Sequence, residues 1–210
     1  MLIYACSSSH GFGHAARDAA VLQQLRQLRP DWTLVMSSAI EPSFLTTLLN
    51  DDAILQRRCR WDVGVMQADA LGSDPAATLS ALTQLDEDLP DLLRREVEWI
   101  RSWREPTLML ADVPPAAAQL ANALGAPLVW MSNFGWDDIY RPFGEAFHDH
   151  VERARSAYAS GLLLLRCPFD LPMDWGLAEQ SLGLVCSQPR PLPLNLLDSL
   201  RASDLSLIHI

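Results

Sequence analysis

The sequence predicts an α/β fold: a Rossmann-like, mostly parallel sheet with helices on both faces. Three observations carry this. Short, nearly continuous apolar runs recur along the chain: "LIYAC" (Leu2–Cys6), "WTLVMSS" (Trp32–Ser38), "TLMLA" (Thr107–Ala111), "PLVWMS" (Pro127–Ser132) and "LLLL" (Leu162–Leu165). Strands with no polar alternation are buried on both faces, as in a parallel sheet covered by helices. Segments of helical period separate them, and the chain opens as strand, glycine loop, helix, strand, the βαβ unit.

Taken in order, Leu2–Cys6 is a buried strand bounded by serines. Ala15, Ala19, Leu22, Leu25 and Leu28 then recur at helical spacing, with Gln23, Gln24 and Arg26 on the other side, until Pro30 stops the helix. Trp32–Ser38 is the second strand and Glu41–Leu49 the second helix. The stretch "ILQRRCRWDVGVMQADALGSD" holds strand-like pieces and a glycine-broken loop. Leu79, Leu82, Leu85, Leu89, Leu93, Val97 and Ile100 form a helical stripe that Pro90 is expected to kink or split. Pro114–Leu124 is a helix entered through prolines and left through Gly125, and Asp138–Ala159 is mostly helix.

Residues 1–166 therefore read as one Rossmann-like domain. Residues 167–204 are proline-punctuated and weakly periodic, and read as an interdomain linker or the start of a second domain. The last six residues, "LSLIHI" (205–210), look like a translated sequencing adapter, the alternative being a genuine short apolar tail. On the adapter reading the chain is an amino-terminal fragment.

Composition narrows the classes. The formal charge of −10 excludes a nucleic-acid backbone as the main partner, and Arg57, Arg58 and Arg60 form too small a basic cluster to reverse that. Cys6, Cys59, Cys167 and Cys186 include no C-x-x-C pair, so a zinc ribbon or thioredoxin-type site is not expected; reduced thiols in a cytoplasmic protein are. No basic leader and no apolar run of about 18 residues is present, so no transmembrane segment is expected.

The loop "SSSHGFGHAARDAA" (Ser7–Ala20) is the most informative stretch. A loop after the first parallel strand lies at the carboxyl edge of the sheet, where ligands bind. Gly11 and Gly13 let the backbone turn tightly and approach a ligand, and the following helix start favours an anion. Gly11, Gly13 and Ala16 satisfy G-x-G-x-x-A, but Ser37 and Ser38 stand where a nicotinamide site wants an acid for the ribose. No Gly-Lys-Ser/Thr follows, so this is not a Walker A loop. His10 and His14 are four apart, yet they flank a loop rather than share a helix face, and no third ligand stands nearby; no metal is expected. His14 is either structural or a proton-transfer group held over a ligand at a helix start.

Asp112 ends one strand and Asn133 follows another, so topology alone brings His14, Asp112 and Asn133 towards one cleft. A carboxylate facing His14 would fix its tautomer and make it a better base towards a hydroxyl, giving a candidate dyad; the alternative for Asp112 is a helix cap ahead of Pro114 and Pro115. In "NFGWDDIY", Trp136 and Asp137 are candidate ligand contacts, or else Trp136 and Tyr140 pack the next helix with Asp137 as its cap. Gln67 and Asp69 contact a ligand or hydrogen-bond within their own loop. Arg17 opposes the helix dipole, which points to a specific anionic partner. "FHDH" (Phe147–His150) reads as a solvated helix face.

"HGFGHAARDAAVLQQL" resembles the first glycine-rich loop and helix of GT-B fold glycosyltransferases, and in particular the glycosyltransferase-like amino-terminal region of L-arabinokinases and related bacterial proteins. "VMQADAL", "REVEWI", "ADVPPAAAQLANALGAP" and "SNFGWDDIY" resemble further blocks of that family in the same order, over roughly residues 1 to 165. The resemblance implies an acceptor-side domain of an enzyme that transfers a sugar from a nucleotide-sugar donor to the hydroxyl of a small-molecule or lipid-linked acceptor. It implies no further cofactor and a missing carboxy-terminal domain that binds the donor, so the fragment alone should be inactive. His14 and Asp112 would be catalytic, with His10, Gly11, Phe12, Gly13, Arg17, Gln67, Asp69, Asn133, Trp136 and Asp137 binding substrate. The alternative is a non-catalytic sugar-sensing or regulatory domain fused to a sugar kinase.

Overall fold

A computed structural model describes residues 1–187. Its sheet has strands β1 (Leu2–Ser7), β2 (Thr33–Ser37), β3 (Leu55–Arg57), β4 (Thr107–Asp112), β5 (Leu128–Ser132), β6 (Leu163–Arg166) and β7 (Ala178–Ser181). They lie in the order β3-β2-β1-β4-β5-β6-β7, every pair parallel. The chain runs outward from β1 through β2 to β3, then returns to β4 on the other flank of β1. That reversal between β1 and β4 is the topological switch point, where open α/β sheets form a crevice beyond their strand ends. The register sets Ser7 opposite Asp112 at this point.

Every residue of β1 is buried, as its unbroken apolar run requires. Its side chains alternate between two cores. Leu2, Tyr4 and Cys6 join one cluster with residues of helices α3 (Pro75–Ser102), α4 (Ala116–Leu124) and α6 (His148–Ala159). Ile3 and Ala5 join the other with α1 (Gly13–Leu28) and α2 (Pro42–Leu49). Ala15 and Ala19 face the sheet from α1, and their small size lets that helix lie close over the strand ends.

Three elements differ from the sequence reading. The helix through Pro90 is not split: α3 is one element of 28 residues, capped by Asp74, whose side chain accepts the Ala77 N–H at 2.9 Å. Pro90 is exposed, so the carbonyl it leaves without a partner can be met by water, while Leu82, Leu89, Leu92 and Ile100 anchor the opposite face. The helix expected over 138–159 is interrupted. A short α5 (Trp136–Tyr140) and two 3₁₀ turns precede α6, separated by Gly144 at φ +87°, a value outside the helical region. Finally, the sheet extends past residue 166. β7, the exposed segment "AEQS", pairs with β6 within the stretch read as linker. Arg166 holds this region, donating to Glu179 at 2.8 Å, to Asp170 at 2.6 Å and to the carbonyls of Leu171 and Pro172. The remainder of the expected linker, 188–204, and the adapter-like residues 205–210 lie outside the described residues. No helix among the described residues is long and apolar enough to cross a membrane.

A buried polar network ties α3 to the sheet. Glu96 accepts the Tyr4 hydroxyl at 2.7 Å and both arms of the Arg57 guanidinium, which also lies over the Trp99 ring. Ser37 receives the Trp61 indole N–H at 2.8 Å. Removing Glu96 leaves Arg57 without its counter-ion and the Tyr4 hydroxyl short of a buried acceptor. Glu96→Ala is expected to lower the free energy of unfolding by about 3 kcal/mol in urea titrations at neutral pH; a loss under about 0.5 kcal/mol, the range of a neutral surface change, would contradict this role.

Candidate functional site

The crevice at the switch point is built around Asp112. It ends β4, is fully buried, and its two oxygens serve two side chains of α1. Oδ1 lies 2.8 Å from His14 Nδ1 and accepts Arg17 Nη2 at 2.6 Å. Oδ2 accepts Arg17 Nε at 2.6 Å, which completes a two-pronged arginine–carboxylate pair. Arg17 Nη1 donates to Asn133 Oδ1 at 3.1 Å, so the residue after β5 joins the same cluster. His14, Asp112 and Asn133 thus meet where topology predicted, bridged by Arg17.

The geometry fixes the His14 tautomer. An ionised carboxylate only accepts, so Nδ1 carries the proton and donates to Asp112. The approach of Arg17 Nη2 to Nδ1 at 3.4 Å is then a contact between two donors rather than a hydrogen bond. In the neutral ring the lone pair then sits on Nε2. The His14 ring is largely buried and meets Phe134 edge-to-face, ring centres 5.4 Å apart. Burial works against the Arg17 charge, but its hydrogen bonds to Asp112 outweigh that and hold the guanidinium above its usual range. The anion expected to face Arg17 is therefore Asp112. The Arg17 fork is bound within the protein, by Asp112 and Asn133. Asp112 does not cap a helix: α4 starts at Ala116 behind Pro115 and has no side-chain cap.

The remaining loop residues divide. Gly11 takes φ +80°, which glycine adopts without strain, and Gly13 begins α1. Phe12 is exposed and packs on Phe44 of α2, ring centres 4.3 Å apart. His10 turns to the other side of the crevice. Its ring lies over Gly64 so closely that a Cβ there would collide, and it meets Trp136 edge-on at 5.4 Å. Burial lowers the His10 pKa, opposed by the negative charge of Asp62.

Asp62 was not legible in the sequence. It follows β3 in an irregular stretch, is 3 % exposed, and accepts the Trp136 indole N–H at 3.0 Å. Burial raises its pKa, while hydrogen bonds from Ser8 and Trp136 and the neighbouring His14 pull it down. Asp62 lies five residues past the end of β3, in a stretch without regular structure that offers no periodicity to place it.

Trp136 and Asp137, candidate ligand contacts in the sequence, are both buried here. Trp136 is 1 % exposed and stacks on Tyr140 at 5.4 Å. Its backbone N–H donates to the Tyr158 hydroxyl at 3.0 Å. Asp137 is buried and interacts with Trp175; burial raises its pKa, and the Asp138 charge adds to that. Trp136 packs in an aromatic cluster, while one Asp137 oxygen is buried without a well-formed hydrogen bond among the described residues. Gln67 pairs with Ser73 across its own loop, and Asp69 Oδ1 accepts the N–H groups of Leu71 and Gly72 at 2.8 and 2.7 Å. These hydrogen bonds lower the Asp69 pKa. Their contacts are loop-internal, the second of the two readings above. Among the described residues no group of three His, Cys, Asp or Glu is placed to hold a metal ion.

The His10 wall makes a testable demand on Gly64, which sits at φ +77°. Gly64→Ala should cost about 1–3 kcal/mol of stability through backbone strain and the displaced imidazole, with a change in tryptophan emission as His10 leaves Trp136. Unchanged stability and emission would show that this wall is not packed as described.

No protein-family model matches the chain. It is 31 % identical over 172 residues to an L-arabinokinase of Arabidopsis thaliana, a match covering 79 % of this chain and 16 % of that protein. Among solved structures it is similar to Phytolacca americana UGT2, solved with UDP-2-fluoro-glucose and pterostilbene. That likeness has a TM-score of 0.54 at 13 % identity and covers 88 % of this chain and 54 % of that one. A second likeness, to Acinetobacter baumannii MurG, has a TM-score of 0.46 at 13 % identity over 90 % and 46 % of the two chains. The chain thus spans about a sixth of the L-arabinokinase and about half of each solved chain. The UGT2 likeness shows the fold: this is the Rossmann-like α/β architecture of one half of a GT-B glycosyltransferase.

Proposed function

We propose that this domain is the acceptor-side half of a glycosyltransferase that moves a sugar from a nucleotide-sugar donor to an acceptor hydroxyl. The observation that carries the reading is the His14–Asp112 pair at the switch point, 2.8 Å apart. Held by Asp112 through Nδ1, His14 presents Nε2 as the free basic nitrogen. An acceptor hydroxyl hydrogen-bonded to Nε2 would lose its proton there as its oxygen forms the new bond to the anomeric carbon. The bond from that carbon to the nucleoside diphosphate breaks, and its electron pair leaves with the diphosphate. Asp112 then faces an imidazolium, whose charge it stabilises without taking the proton.

Arg17 positions Asp112 rather than touching substrate, and Asn133 extends the cluster towards β5. The donor would be held mainly by a second domain, closing over the crevice so that water is excluded and the hydroxyl aligned. On this reading residues 1–187 alone bind acceptor but do not turn over, and the protein acts in the cytoplasm.

A second reading is favoured by the L-arabinokinase likeness, in which the match covers 16 % of a longer protein. There the same crevice would sense a sugar and regulate a fused kinase without transferring anything.

One variant separates the two. In a protein carrying this domain together with its donor-binding domain, His14→Ala is expected to lower kcat by roughly 10²–10⁴, with acceptor affinity by calorimetry little changed. Turnover that survives the substitution would refute the base assignment. Sugar binding that alters kinase activity, with no transfer in wild type, would establish the regulatory reading.

A further inference from the structure

Beneath this crevice lies a carboxyl group that the proposed chemistry does not use. Asp18 stands four residues beyond His14 on α1, hence on the same face one turn further in. It is 1 % exposed, and neither of its oxygens makes a well-formed hydrogen bond within the described residues; the hydroxyl of Ser7 is similarly unmatched. Ser7 and Asp112 are register partners at the ends of β1 and β4, and Asp18 interacts with both from α1.

The groups facing Asp18 come from each element packed on it. Arg17 approaches from α1, Asp112 from β4, and Ser7 from β1. Cys6 of β1 and Cys167 beyond β6 are thiols that burial keeps neutral. One cation therefore stands among two carboxyl groups, and its fork is bound to Asp112 at 2.6 Å through two nitrogens.

We propose that Asp18 is a positioning residue of the His14–Asp112–Arg17 cluster, an uncharged carboxylic acid whose retained proton leaves Arg17 wholly to Asp112. The inference rests on the reading of that cluster as the reactive centre. An ionised carboxylate in this place would be buried with neither oxygen in a well-formed hydrogen bond, which disfavours the charged form. It would also compete for Arg17, drawing the fork from Asp112 and loosening the hold of Asp112 on His14 Nδ1. Asparagine or leucine would pack here with no such liability. An acid that lowers stability at a crevice is the kind of local conflict that function retains.

The sign of the pH effect follows from burial, which raises the Asp18 pKa, with the Asp112 charge adding to the rise. Below the unfolded aspartate range of about 3.9, both folded and unfolded chains hold the proton, and Asp18 contributes no difference. As pH rises beyond that, the unfolded chain releases the proton while the folded one keeps it. The folding constant of wild type then falls by up to tenfold per pH unit until Asp18 itself ionises, after which the penalty is constant.

The experiment compares wild type, Asp18→Asn and Asp18→Leu in the 210-residue chain. Urea denaturation is run from about pH 5.5 upward until the difference levels off. The ratio of folding constants, Asn variant over wild type, should climb by up to tenfold per pH unit and then level off, with the Leu variant showing the same trend. In ¹⁵N spectra of the imidazoles, the wild-type His14 signal should depart from that of Asp18→Asn over the interval where the ratio levels. A ratio flat with pH in both variants would show that folded Asp18 is already ionised and overturn the proposal. A pH-dependent ratio with identical His14 signals throughout would reduce Asp18 to a buried acid with no positioning role, and overturn it equally. No turnover is measured, so either failure leaves the sugar-transfer reading standing.

Discussion

The constraint on which the crevice depends is the burial of the Asp112 carboxylate. Placed at the switch point with no exposure to water, it must be satisfied by donors supplied by the fold. α1 supplies them: His14 and Arg17, three residues apart on the helix, converge on its two oxygens. That single requirement sets the rotation of α1, fixes one histidine tautomer, and orients an arginine that would otherwise sit unfavourably near a helix start. Asn133 adds the next strand end through Arg17. Removing the carboxylate would therefore release three elements together.

The backbone makes this convergence possible. The register of β1 with β4 brings Ser7 and Asp112 level, and the alanines of α1 keep the helix close to the strands. Gly11 permits the turn between β1 and α1. On the other side, Asp62, Trp136, His10 and Gly64 form a second wall, held by an indole hydrogen bond and a ring packed onto bare backbone. One wall is charged and polar. The other is aromatic, with a carboxyl that burial biases towards its neutral form.

Most of the fold was readable because parallel strands here are uninterrupted apolar runs and the helices carry clear stripes. The cluster of His14, Asp112 and Asn133 was readable for a topological reason: each follows a strand on the carboxyl edge. What escaped has equally physical causes. β7 is "AEQS", fully exposed and without alternation, and its place is set by Arg166 rather than by burial. Pro90 looked like a break, yet tertiary packing and an exposed position carry α3 through it. The burial of Trp136 and Asp137 was not legible in their composition, because it depends on where Tyr140 and Tyr158 pack. Asp62 sits five residues past the end of β3, in a stretch with no periodicity to place it. Asp18 reads in sequence as one more polar residue near a helix start; only the depth of α1 over the strand ends exposes it as buried and unmatched.

The central claim is that Asp112 holds His14 in one protonation form, and neutron diffraction from deuterated crystals of the chain tests it most directly. The account predicts a deuteron on His14 Nδ1 directed at Asp112 Oδ1, with Nε2 bare and Arg17 fully deuterated along its fork. A bare Nδ1 with the deuteron on Nε2, or a deuteron resting on Asp112, would contradict it.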